Sequence, residues 1–157
     1  VSFINILRKE VMTELVDAEE IIKDLNDLIE LDYDAVAAYQ AAIDRLEDKN
    51  YKDQLANFMQ DHQNHIAALS QLVSQEGGSP ADGADMKVIL TKGKVVIADL
   101  GGDEAILKAM LMNEEVTNKS YEKEVEKDFP QPIQAILMAH LADERRHKEW
   151  LEVALLD

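Results

Sequence analysis

The sequence predicts an all-α fold: an antiparallel four-helix bundle with a long helical crossover between its second and third helices and an extra helix ahead of the first. Three observations carry this prediction. Apolar residues recur at three- and four-residue spacing through most of the chain, the period of a half-buried helix. Glycine and proline fall in a few short stretches, so the periodic segments run largely unbroken. The two halves also carry the same polar residues at the same intervals, as two copies of one helical hairpin would.

Ile4, Leu7, Val11, Leu15 and Ile22 place an amphipathic helix over about residues 2–23. The first bundle helix follows from about Leu25 to Leu46, with Leu25, Leu28, Ile29, Asp32, Val36, Tyr39 and Ile43 on one face. Asp48-Lys49-Asn50 reads as a turn, and the second helix runs from about Tyr51 to Gln75. The stretch from Gly77 to Gly83, with Pro80 inside it, is a loop. Met86 to Leu100 is rich in β-branched residues, and Gly93 weakens a helix by about 1 kcal/mol relative to alanine. It is still read as a helical crossover, because no other segment could pair with a strand. Asp103 suits an N-cap for a third helix from about Glu104 to Lys127. Pro130 and Pro132 interrupt the chain and start a fourth helix that runs to about Leu155. Two short-looped helix pairs joined by a long crossover make one domain over residues 1–157.

Composition narrows the function. The net charge of −16 repels phosphate backbones and anionic bilayers, so neither nucleic acid nor membrane is an expected partner. There is no cysteine, which excludes disulfides, thiolate metal sites and cysteine nucleophiles. No apolar run approaches the roughly 20 residues that span a bilayer. Val1 to Leu7 is apolar but precedes its basic residues, the wrong order for a signal peptide, and a cytoplasmic location is expected.

An internal repeat then points to chemistry. Asp32 and Tyr39 stand seven residues apart, as do Glu114 and Tyr121, which puts each carboxylate and its tyrosine on one helix face. His62 and His65 stand at i and i+3, as do Glu144 and His147. A constant offset of 82 relates Asp32 to Glu114, Tyr39 to Tyr121, Asp61 to Asp143, His62 to Glu144, His65 to His147 and Leu69 to Leu151. Folded about a pseudo-twofold axis, the halves bring three carboxylates and three imidazoles together. Such groups cannot stay buried uncompensated, and one or two divalent cations resolve the conflict. Mixed carboxylate and imidazole donors suit iron, manganese or zinc.

Residues 25–156 resemble the ferritin-like superfamily, closest in pattern to bacterioferritins and rubrerythrins. Such bundles place one Glu on each of two helices and Glu-x-x-His on each of the other two. Glu144-Arg145-Arg146-His147 matches that motif, Glu114 the single carboxylate, and His65 the other histidine; Asp32 takes the remaining place, one methylene shorter. The resemblance implies a metal set of Asp32, His62, His65, Glu114, Glu144 and His147. It also implies outer hydrogen-bond partners: Asp61 and Asp143 for the histidines, Tyr39 and Tyr121 for the terminal carboxylates. One departure stands out. His62 sits where the family carries a Glu that joins two metals, so three carboxylates leave two divalent ions one charge short of neutrality.

The resemblance further implies a di-iron site that oxidises Fe(II) or reduces dioxygen or peroxide; zinc or manganese suit the same donors, and no haem is expected. No residue is assigned a catalytic role. His140, four residues before Glu144, reads as a capped or solvated histidine; Arg145 and Arg146 as outer-face ion pairs; Met110, Met112 and Met138 as core filling. The chain ends directly after the fourth helix and carries an added N-terminal one, so a monomer or small homo-oligomer is expected and not a closed cage. The alternative reading is a metal-free or structural-metal bundle that acts through protein partners, for example in stress response, with the N-terminal helix as its contact surface.

Overall fold

A computed structural model describes residues 2–83 and 101–156. Four helices make up the described part: α1 Phe3–Arg45, α2 Lys49–Gln75, α3 Asp103–Val125 and α4 Ile133–Ala154. α1 packs on α2 and α3, and α4 packs on α3 and α2. The crossover expected over Met86 to Leu100 lies outside the described residues. Among the described residues no helix is long and apolar enough to cross a membrane.

The first helix differs from expectation. The segments expected as two helices, 2–23 and 25–46, form one continuous helix of 43 residues. The reason is local: no glycine or proline occurs before Gly77, so nothing interrupts the backbone ladder. α1 therefore spans about 64 Å at 1.5 Å per residue, against about 40 Å for α2. Gly78, just past the end of α2, lies against Ile22, so the N-terminal part of α1 projects beyond its partner. Phe3 and Ile4 on that projection are 77% and 72% exposed.

The turns are fastened by side chains. Asp48 caps α2 by accepting from Asn50 N and Tyr51 N. Asp103, expected as an N-cap, is instead the first residue of α3, and Gly102 takes the cap position at φ 87°. The freed Asp103 carboxylate accepts from Glu47 N at 2.8 Å and Asp48 N at 2.9 Å, tying the start of α3 to the α1–α2 turn. At the far end of α3, Lys127 bridges Asp24 and Glu124, each at 2.9 Å. Between α3 and α4 the Gln134 side chain closes the turn, accepting from Phe129 N and donating to Val125 O.

Two apolar clusters fill the bundle. One gathers Tyr39, Leu46, Leu55, Phe58, Ile106, Met110 and Leu151, and the other Leu25, Ile29, Leu69, Tyr121, Ile133 and Leu137. On α1 the stripe is completed by Ala35, Ala38 and Ala42, while Val36 and Ile43 are half-buried. Of the three methionines expected in the core, only Met110 is buried. Met112 and Met138 are 68% and 56% exposed. Two residues along a helix turn the side chain to the opposite face, so Met112 cannot share the face of Met110. On every helix the predicted polar residues fall between the two clusters.

Leu69 and Leu151, related by the 82-residue offset, are both fully buried, one in each cluster. Leu69→Ala and Leu151→Ala should each cost about 2–5 kcal/mol in chemical denaturation. A cost below about 1 kcal/mol at either position would contradict a close-packed cluster there.

Candidate metal centre

The polar layer holds six buried ionisable side chains: Asp32 from α1, His62 and His65 from α2, Glu114 from α3, Glu144 and His147 from α4. Helical periodicity brings them there, because i, i+3 and i+4 positions share a face. All six residues singled out by the repeat converge on one place. Their donor atoms form two overlapping groups, Asp32–His62–His65–Glu144 and His62–Glu114–Glu144–His147, with the atoms of each within 4.8 Å of one another. His62 and Glu144 belong to both.

The outer partners hold this set in orientation. The Tyr121 hydroxyl donates to Asp32 Oδ2 at 2.6 Å, and the Tyr39 hydroxyl donates to Glu114. Each tyrosine thus reaches across to the carboxylate of the other half. Burial, reinforced by these carboxylates, keeps both phenols well above their usual pKa, so they remain donors. His65 Nε2 pairs with Asp143 at 2.9 Å, and His147 Nε2 with Asp61 at 2.8 Å. An aspartate on Nε2 leaves Nδ1 of each ring facing inward, the arrangement that prepares an imidazole to bind metal. Arg146 ties the two aspartates together, 2.7 Å from Asp61 and 3.1 Å from Asp143.

Several neighbours were not anticipated. Thr117 Oγ1 donates to Glu114 Oε2 at 3.1 Å, and Asn118 donates to the backbone carbonyls of Glu114 and Glu144. Their spacing from Glu114, i+3 and i+4, was the available signal. His140 is neither capped nor solvated: it is buried and stacked on His65, with ring centroids 3.9 Å apart. Burial and the adjacent His65 push its pKa down to about 4, so it is neutral. The offset of 82 maps His140 onto Phe58, which packs on His147 at 4.3 Å. The two halves therefore cover equivalent histidines with different rings.

Whether a cation suits this set can be judged from unpaired atoms. His65 Nδ1, His147 Nδ1 and both Glu144 oxygens are buried without a hydrogen-bond partner, and all four belong to residues of the two donor groups. Orphaned polar atoms of this kind are costly, about 1–3 kcal/mol each. A divalent ion would satisfy them, and the oxygen and imidazole donors suit a first-row transition metal. The residues present fit such an ion.

Without a cation, protons do the balancing. Burial opposes charging His65, but Asp32, Glu144 and Asp143 outweigh it and raise its pKa to about 10. Burial likewise opposes a charged His62, yet Glu144, Asp32 and Glu114 hold it well above its ordinary value. Burial acts against ionised Asp32 and Glu114, and the histidines nonetheless keep both below the usual carboxylate range.

A family model described as "Domain of unknown function (DUF2383)" matches residues 20–127, a span that includes Asp32, His62, His65 and Glu114. No curated protein matches the sequence. Among solved structures, the chain is similar to one described as "ferritin like, diiron-carboxylate proteins from Bacillus anthracis str. Ames". The TM-score is 0.70 at 22% identity, covering 88% of this chain and 97% of that one. The likeness establishes a ferritin-like fold, and with the buried donor cluster it supports a metal-binding bundle.

Two predictions follow from the proton balance and the aspartates. His65 gains a raised pKa on folding, so its contribution to stability is full below about 6.5 and is lost as pH rises through about 10. Thermal melts of metal-free protein should show a falling midpoint over that window, and His65→Gln should flatten it; an unchanged slope in the variant would contradict the assignment. Asp143→Asn should weaken metal binding about 10–100-fold, read by competition with a chelating dye, and unchanged affinity would deny that aspartate its orienting role.

Proposed function

The chain belongs to the DUF2383 family, whose match covers most of its length, and from that premise together with the ferritin-like fold we propose that it binds iron in the buried layer and oxidises it with dioxygen or peroxide. One observation carries the reading: two overlapping carboxylate–imidazole groups converge in a buried layer and leave inward-facing donor atoms without a hydrogen-bond partner. Asp32, His62, His65, Glu114, Glu144 and His147 would hold the metal. Bound iron would supply one-electron redox chemistry and an open position for the oxidant. The protein's own part is preparatory. Asp61 and Asp143 set which nitrogen of His147 and His65 faces inward. Tyr39 and Tyr121 steady Glu114 and Asp32, and the aromatic and aliphatic side chains on either side of the layer exclude water. Zinc and manganese suit the same donors, so the choice of iron rests on the diiron-carboxylate description of the structural neighbour.

The test mixes metal-free protein with Fe(II) in air and follows ferric absorbance in stopped flow. Oxidation should outrun that of Fe(II) in buffer, at about two ions per chain, and Glu144→Ala should abolish the acceleration. No acceleration by the native chain would sink the redox reading.

A second reading concerns assembly. The projecting start of α1 exposes Phe3, Ile4, Ile6 and Leu7, an apolar cluster on a chain that is otherwise strongly acidic. We propose that it mediates a small homo-oligomer. Ile21 and Ile22 pack on the core, so deletion should stop at residue 16. Light scattering should then give a monomer; an unchanged mass would contradict assembly through this segment.

A further inference from the structure

The two donor groups share His62 and Glu144, so they differ only in the pair that completes each: Asp32 and His65 in one, Glu114 and His147 in the other. Much around those pairs is matched. Each terminal carboxylate takes a tyrosine hydroxyl from the opposite half, and each of these histidines an aspartate at Nε2. The spacing within the pairs is equal as well. His65 Nδ1 lies 3.5 Å from Asp32 Oδ1, and His147 Nδ1 lies 3.5 Å from Glu114 Oε1.

The difference lies in what holds the carboxylate. Glu114 turns Oε1 towards His62 and His147, and Tyr39 donates to that same oxygen. Thr117, one turn further along α3, shares its hydroxyl proton between Oε2 and the backbone carbonyl of Glu114, each at 3.1 Å. Both oxygens are thus held, and a carboxylate still has lone pairs left for a cation. Asn118 Nδ2 donates to the Glu114 carbonyl at 2.7 Å and to the Glu144 carbonyl at 3.0 Å, which ties the backbones of two donors together across α3 and α4. The offset of 82 puts Ala35 and Val36 at the matching places beside Asp32, and neither side chain can donate. Asp32 is also paired more closely with His62, at 2.8 Å against 3.3 Å for Glu114, so an ion entering beside it displaces the shorter bond. A donor set already fixed in place loses less freedom on binding than one that must first be ordered.

We propose that Thr117 and Asn118 are positioning residues that make the Glu114–His147 position the tighter of the two, so that it fills first. The inference rests on the reading of the layer as a two-ion centre and adds the order in which its donors are used. The second position, beside Asp32 and His65, fills only after the first.

The experiment uses the full chain with isotope-labelled histidine and Zn(II), a diamagnetic ion that suits the same donors. With four histidines in the chain, nitrogen NMR follows each ring separately. In the native protein one equivalent of Zn(II) should move His147 Nδ1 to its metal-bound position and leave His65 Nδ1 in place; the second equivalent should move His65. Thr117→Val removes the hydroxyl at nearly unchanged volume. It should lower the first-step affinity about 10–100-fold in calorimetry and abolish the order of filling, and Asn118→Ala should act in the same direction. Thr117→Ser restores the hydroxyl and should keep the native order; circular dichroism checks the helix content of every variant. His65 moving first in the native protein, or both rings moving together, would overturn the inference and leave the metal reading standing. Native order retained in Thr117→Val or in Asn118→Ala would do the same. A second equivalent that leaves His65 unmoved would overturn the two-ion reading and the order together, and no shift at either ring in excess Zn(II) would overturn the metal centre itself.

Discussion

The constraint on which the rest of this structure depends is the burial of three carboxylates and three imidazoles in the middle of a bundle. Each ion would cost several kcal/mol if left unpaired in such a setting. The protein meets the cost in layers. Tyr39 and Tyr121 donate to the terminal carboxylates, Asp61 and Asp143 take the outer nitrogens of two histidines, and Arg146 neutralises those aspartates at the surface. Inside that frame His65 Nδ1, His147 Nδ1 and the Glu144 oxygens still lack a hydrogen-bond partner, and they belong to the two groups placed to receive a cation. The apolar clusters on either side fix the helices against which these bonds are made.

The pseudo-twofold arrangement explains both the likeness and the difference of the two halves. Leu69 and Leu151 or Tyr39 and Tyr121 do the same work in each copy. The copies diverge around the centre: Phe58 against His140, His62 against Glu144, and Thr117 and Asn118 where the first half has Ala35 and Val36. Glu114 is consequently held by more donors than Asp32. Two ions in this layer would meet unequal surroundings, one beside the His65–His140 stack and the other beside Phe58, over whose ring Arg146 lies at 5.8 Å.

Much of this was legible because it is periodic. A seven-residue and a three-residue interval on helices leave little freedom in where Asp32, His62, His65, Glu114, Glu144 and His147 end up once the helices pack. The all-α bundle followed from the same periodicity, and the fold comparison agrees with it. Other features depend on register between helices, which no single-helix pattern carries. The Arg146 clamp needs α2 and α4 aligned so that Asp61 and Asp143 flank one guanidinium. The stacking of His140 on His65 needs the same alignment, and a histidine aligned with a phenylalanine does not look like a repeat. The unbroken α1 was hidden by a shift in its apolar spacing near residue 23, which suggested two helices although no breaker residue was present. Asp103 looked like a cap for its own helix, and only the proximity of the α1–α2 turn diverts its carboxylate to Glu47 and Asp48.

The central claim is that the buried layer is a metal centre, and anomalous diffraction at the iron edge tests it most directly, on crystals grown anaerobically with Fe(II). The account predicts anomalous density inside the bundle, within bonding distance of His65 Nδ1 and His147 Nδ1. Density found only among surface carboxylates, with the buried layer closed by its own hydrogen bonds, would contradict it.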